Sequence, residues 1–208
     1  LKVDGFDYAL LVGQFGSSCS CCPSDINRDT DVNGFDYALL VGQYGSTCNG
    51  VEIVSDIDGN IYKVKEIGTR VWMTENLKVT TLNDGTPIAE ITDEGIWGSS
   101  GNAARTWYNN DSLYFNLKYG NLYNGHAVET GKLCPDGWRV ADLDDWNELV
   151  SESGGASIAG GNLKKEGYTY WLYPNTGGDN EKDFNALPGG KRETAGDFLS
   201  HCEEGFWW

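Results

Sequence analysis

The pattern of apolar and polar residues changes character near residue 50. From Val51 the chain reads Val-Glu-Ile-Val-Ser, Asp-Ile-Asp58-Gly59-Asn, Ile-Tyr-Lys-Val. A period of two sends successive side chains to opposite faces, so this stretch predicts a β-hairpin turning at Asp58-Gly59. Thr69-Arg-Val-Trp-Met is a further strand signal. Ala141–Val150 repeats at helical spacing instead. Leu143, Trp146 and Leu149/Val150 form its expected apolar face, Asp142 is its expected N-cap, and Asp144 and Asp145 suit the N-terminal dipole. Gly154-Gly155 stops it. The remainder of 51–208 reads as short strands and turns, with this as the one clear helix.

Before residue 50 the pattern is a repeat. Val3–Cys19 reads VDGFDYALLVGQFGSSC and Val32–Cys48 reads VNGFDYALLVGQYGSTC, an offset of 29 residues with three differences. Each copy carries a short helix. In the second, Phe35, Leu39 and Leu40 share one face and Gly45 is the expected C-cap. One such helix cannot bury its face alone, so the two are expected to pack together. The expected division is 1–50 and 51–208.

The loop before the second helix carries the sharpest chemistry. Asp25, Asn27, Asp29, Asp31, Asn33 and Asp36 stand at positions 1, 3, 5, 7, 9 and 12 of a twelve-residue loop. This is the spacing at which alternate side chains turn inward around Ca²⁺. The competing reading is a polar turn that caps a helix. Thr30 replaces the glycine such loops favour, and Asp36 is shorter than the usual glutamate. In the first copy Leu1 aligns with position 6, which leaves Asp4 and Asp7 as a partial second metal site. One good calcium site is expected.

Charge supports that reading. The net charge is −16, and the first 50 residues hold six acids against two bases. No basic patch offsets the carboxylates, so a nucleic-acid partner is not expected. The longest apolar runs, such as Tyr37–Val41, are too short for membrane insertion, and no leader pattern opens the sequence. The 28 Gly with 8 Trp and 11 Tyr point to a loop-rich fold that buries rings rather than aliphatic helices. Six cysteines favour an oxidising, extracytoplasmic compartment. Cys19 and Cys48 occupy equivalent repeat positions and are a candidate disulfide; Cys21–Cys48 and Cys22–Cys48 remain open.

Catalytic signals are weak. His126 and His201 lie in separate segments, and with 31 acids some carboxylate pair will always be close. Trp97, Trp107 and Trp171 are candidates for stacking on sugars, with Tyr108, Tyr170 and Tyr173 beside them in sequence; core packing is the alternative.

Several ordered segments carry a resemblance. They include Asp56-Ile-Asp-Gly-Asn-Ile-Tyr62, Ile67–Lys78, Trp107-Tyr-Asn-Asn110, Tyr119–Asn124, Cys134-Pro-Asp-Gly-Trp138-Arg, Phe184-Asn-Ala-Leu-Pro188 and Gly205-Phe-Trp-Trp208. Together they resemble the Fibrobacter succinogenes major paralogous domain, a secreted bacterial module. The resemblance implies an α+β, C-type-lectin-like, loop-rich domain with short strands, similar to the formylglycine-generating-enzyme group. It also implies further strands past Trp208 and a partner for Cys134 there, which leaves Cys134 reduced or paired with Cys202. Residues 1–50, with their duplicated loops and Asp-Tyr-Ala-Leu-Leu, resemble a dockerin type I module, a small all-α loop–helix repeat pair. With the first loop incomplete as well, the sequence is expected to be a piece of a longer protein.

The expected function is non-catalytic: calcium-stabilised binding or adhesion outside the cell or at the bacterial cell surface, to polysaccharide or a cell-surface protein. One alternative is self-association as a subunit of an extracellular filament or matrix. Another is a divergent enzyme of the formylglycine-generating type.

Overall fold

The computed structural model describes residues 52–208. The expected calcium loop Asp25–Asp36, the expected partial site Asp4 and Asp7, the expected repeat helices and the candidate Cys19–Cys48 disulfide lie outside the described residues.

The described part is mixed α and β, with small sheets and short helices. Strands β1 (Glu52–Ser55), β2 (Ile61–Ile67) and β3 (Arg70–Met73) form an antiparallel meander in the order β1-β2-β3. The expected hairpin is β1–β2, closed at Ser55↔Ile61, and the second strand signal is β3. Its turn is held by Asp56. That carboxylate accepts the N–H groups of Asp58 and Asn60 and the side-chain amide of Asn60, at 2.8–3.0 Å. It also accepts the Tyr62 hydroxyl at 2.5 Å. Gly59 has φ +84°, a conformation that an L side chain resists. Along β2, Tyr62, Val64 and Ile67 are buried and their neighbours exposed.

A second sheet joins β4 (Ala89–Glu90), β5 (Ala104–Thr106) and β6 (Leu122–Tyr123), with β4 parallel to β5 and β6 antiparallel to it. A third pairs β7 (Lys191–Arg192) with β8 (Phe198–Leu199). Between them lie α1 (Glu94–Ser99), a 3-10 turn (Tyr108–Asn110), α2 (Ser112–Tyr119), α3 (Gly125–Glu129), α4 (Leu143–Glu152) and α5 (Ala159–Leu163).

The expected helix is α4. Asp142 accepts the N–H groups of Asp144 and Asp145, and the Asp145 side chain returns a bond to the Asp142 N–H, closing a capping box. One part of its expected face is wrong: Leu143 is 73% exposed, whereas Leu149 is fully buried. Six positions separate them, which leaves them 120° apart around a helix of 100° per residue. The buried side runs through Asp145, Leu149 and Ser153, with Trp146 partly covered beside it.

The four other helices were not expected. They are five to eight residues long, too short for apolar periodicity to stand out. Three are set instead by side-chain caps, from Asp93, Asp111 and Asn124.

The core is split. One cluster joins Val79, Leu82, Ile88, Ala127 and Leu133. A second joins Ile67, Leu149, Phe184 and Ala186 under Trp72 and Trp146. A third is made of rings, Trp107, Phe115 and Tyr119, with Tyr108 and Tyr170 against them. Small sheets with little aliphatic area are thus tied together by aromatic residues, as the composition implied.

Candidate ligand cleft

The second core cluster opens into a cleft of about 690 Å³. Its lining includes six of the eight tryptophans: Trp72, Trp97, Trp138, Trp146, Trp207 and Trp208. The floor is an aromatic triangle. Trp72 projects from β3, Trp146 from α4, and Phe184 from the segment before β7. Ring centroids are 5.1 Å apart for Trp72–Trp146, 5.8 Å for Trp72–Phe184 and 6.4 Å for Trp146–Phe184. These tilted and edge-on arrangements suit the ring quadrupoles.

The far wall is Phe206-Trp207-Trp208. The Trp207 indole N–H donates to Asn76 Oδ1 at 3.2 Å, and the Trp208 indole N–H donates to the Tyr123 carbonyl at 3.3 Å. The Trp146 indole N–H donates to the main-chain oxygen of Trp208 at 3.2 Å.

One end is ionic. The Asp145 side chain, 6% exposed, receives Arg139 in two contacts, Nη1 at 2.6 Å and Nη2 at 2.9 Å, with Arg70 Nε at 3.0 Å on its other side. The Asp142 N–H and then Arg139 hold the Asp145 carboxyl below the usual carboxylate range. Glu148 accepts the Thr69 hydroxyl and N–H, both at 2.6 Å, and its pKa is lowered too. Two guanidinium groups thus face three carboxylates, Asp142, Asp145 and Glu148. The wall carries no excess positive charge to attract an anion, and its arginines are spent on internal pairs.

Of the three tryptophans singled out for sugar stacking, Trp97 is in the cleft lining and Trp107 and Trp171 are not. Trp97, Trp107 and Trp171 are only 7–9% exposed. Each also has a cation over its ring: Arg192 at 4.8 Å, Arg105 at 4.9 Å and Lys164 at 4.9 Å respectively. None offers an open face, so the core alternative describes all three, Trp97 included although it lines the cleft. The exposed ring pair is Tyr168 and Tyr173, with centroids 5.4 Å apart. Trp207-Trp208 could have been found from sequence. The adjacent tryptophans are the signal, and both line the cleft.

The titratable groups are placed quietly. His126 faces Glu129 across one turn of α3 at 3.4 Å, with both half or more exposed. His201 sits among Tyr108, Phe115 and Tyr119, with centroids 4.9–5.0 Å away. Burial lowers its pKa, which favours the neutral ring. Cys202 Sγ lies 3.3 Å from His201 Nδ1, but burial raises the pKa of that thiol. Burial also pushes Cys134 up to about 11. Among the described residues neither cysteine has a disulfide partner. Among the described residues no three His, Cys, Asp or Glu side chains group as a metal site, and no helix is long and apolar enough to cross a membrane.

Residues 65–208 match the family described as the Fibrobacter succinogenes major domain. Neither the curated proteins nor the solved structures contain a match to the chain.

Proposed function

The chain belongs to the Fibrobacter succinogenes major domain family, and on that footing we propose that it is a non-catalytic binding or adhesion module of the bacterial cell surface or extracellular space, with a polysaccharide as its ligand. The carrying observation is the cleft: six indole rings in its lining, with Arg70 and Arg139 paired to Asp145, Lys191 to Glu193, and Arg192 donating to backbone carbonyls. Pyranose rings present C–H faces that suit such walls, and an uncharged sugar needs no counter-ion. A C-type-lectin-like arrangement of 51–208 belongs to the same proposal. In its support, Cys134-Pro-Asp-Gly-Trp138-Arg leads directly into the capped helix α4.

The test is a glycan array probed with the full chain. Binding to neutral polysaccharides, lost on Trp138→Ala, is the expected result; an array with no binding at all refutes the reading.

Residues 1–50 are proposed as a dockerin-like pair ordered by Ca²⁺, with Asp25, Asn27, Asp29, Asp31, Asn33 and Asp36 as ligands and Asp4 and Asp7 as a partial second set. Calorimetry should give one Ca²⁺ site, weakened at least tenfold by Asp25→Ala or Asp36→Ala. Unchanged affinity in both variants contradicts it.

A further inference from the structure

Between α5 and β7 one loop holds two aromatic side chains out in solvent. Tyr168 and Tyr173 are 64% and 79% exposed, yet their rings stay together, with centroids 5.4 Å apart and planes at 55°. The backbone between them is fixed from below. Trp171 is buried and its indole N–H donates to the Ala186 carbonyl at 3.1 Å. The Leu172 N–H donates to the Cys202 carbonyl at 2.8 Å. The Asn175 side-chain amide donates to the carbonyls of Lys165 and Gly167, both at 3.0 Å, and so ties the two ends of the loop together. Among the described residues this is the one tyrosine pair in ring contact with both members exposed. Tyr119 and Tyr170 meet at 5.9 Å, but Tyr119 is 6% exposed. Tyr114 is exposed, but it meets Phe115 and Lys118.

We propose that Tyr168 and Tyr173 form an oxidative cross-linking site, at which one carbon–carbon bond between the two rings fastens this loop. The co-reactant is a one-electron oxidant of the peroxidase and hydrogen peroxide class. Each phenol gives up one electron and its hydroxyl proton and becomes a phenoxyl radical. The two radicals join through ring carbons ortho to oxygen, and the proton on each joined carbon moves to its oxygen, which restores two phenols. Hydrogen peroxide takes up the two electrons and two protons and leaves as two waters. The protein loses two hydrogens in all.

Proximity selects this pair. A radical on either ring has its partner already in contact, whereas a tyrosine of another molecule arrives by diffusion. Groups held together in this way react at effective concentrations far above that of any protein solution. The bond also has a use. Tyr168-Thr-Tyr-Trp-Leu-Tyr173 is dense in the side chains that chymotrypsin-type proteases cut beside, and exposed loops are where chains are nicked. A covalent bridge from 168 to 173 opposes the local opening that nicking needs. None of this rests on the polysaccharide reading.

The experiment treats the full chain with a haem peroxidase and limiting hydrogen peroxide. The tryptic peptide 166–182, bounded by Lys165 and Lys182, is then followed by mass spectrometry. The expected product is this peptide lighter by two hydrogens and resisting fragmentation between 168 and 173. It should come from a chain that stays monomeric on a denaturing gel, in a yield independent of protein concentration. Tyr168→Phe and Tyr173→Phe keep a ring at an exposed position, so the fold is retained; each should lower the yield roughly tenfold. Tyr170→Phe should leave it unchanged. Coupling mainly at other tyrosines, coupling mainly between chains, or a yield undiminished in either single variant overturns the site. Chymotrypsin should nick the oxidised chain between 168 and 173 at least roughly threefold more slowly than the untreated chain; equal rates overturn the fastening of the loop.

Discussion

Removing one oxygen, by Tyr62→Phe, tests the account of how the first sheet is held. The Tyr62 side chain is fully buried. Its hydroxyl donates to Asp56 Oδ2 at 2.5 Å and accepts the Lys78 N–H at 3.0 Å. It therefore joins the β1–β2 turn to the irregular segment that follows β3. Burial and the neighbouring Asp56 carboxylate push its pKa far above the usual phenol range, so the group stays a neutral donor at all working pH. Phenylalanine keeps the ring and creates almost no cavity. What is lost is a hydrogen bond to a charged acceptor, worth about 1.5–3 kcal/mol, and the partner of one backbone N–H, about 1 kcal/mol. The sum, roughly 2.5–4 kcal/mol, is a large part of a typical stability of about 5–15 kcal/mol. At about 2–4 °C per kcal/mol for a domain of this size, the melting temperature should fall by roughly 5–15 °C. The assay is urea unfolding followed by tryptophan fluorescence. All eight tryptophans lie at residue 72 or beyond, so the signal reports this domain alone. The midpoint should drop with an unchanged slope. A loss below about 0.5 kcal/mol would mean the bond is replaced by solvent and the Asp56 turn does not anchor the sheet.

The same fluorescence signal should depend on pH in one direction. The Lys132 ammonium and then the Thr86 hydroxyl hold Asp84 at about 2, and Asp145 and Glu148 are also lowered. Their carboxylates bind protons more readily unfolded than folded. Stability from these pairs is therefore full above the unfolded values, near 4, and falls as the pH drops toward the folded ones. The urea midpoint should stay level from pH 7 to about 5 and decline from about 4 to 2, less steeply in Asp145→Asn; a level midpoint down to pH 2.5 contradicts the paired geometry. Cys134, raised from an ordinary 9 to about 11, should be about a hundredfold poorer in thiolate than a free thiol. Residue-resolved mass spectrometry at pH 8 should show its alkylation slowed in proportion, and a rate near that of a small thiol would show that it is not buried.

Local patterns carried the local structure. The β1–β2 hairpin, strand β3 and helix α4 with its Asp142 cap were legible because period, turn residue and cap are written within about a dozen neighbouring residues. Short helices such as α2 were not legible. Its buried Phe115 and Tyr119 alternate with Leu113 and Leu117, which are 93% and 80% exposed, so apolar identity no longer marks the inner face. Leu143 misled for the same reason.

The cleft was decided by tertiary structure alone. Trp72, Trp146, Phe184 and Trp208 span well over a hundred residues of sequence, and nothing near any one of them announces the others. Composition could say that rings would replace aliphatic residues in the core. It could not say which rings would be sealed under a cation, as Trp97, Trp107 and Trp171 are, and which would face an opening. That division depends on how elements far apart in sequence pack together. Burial is a property of distant surfaces meeting, and it leaves no periodic trace along the chain.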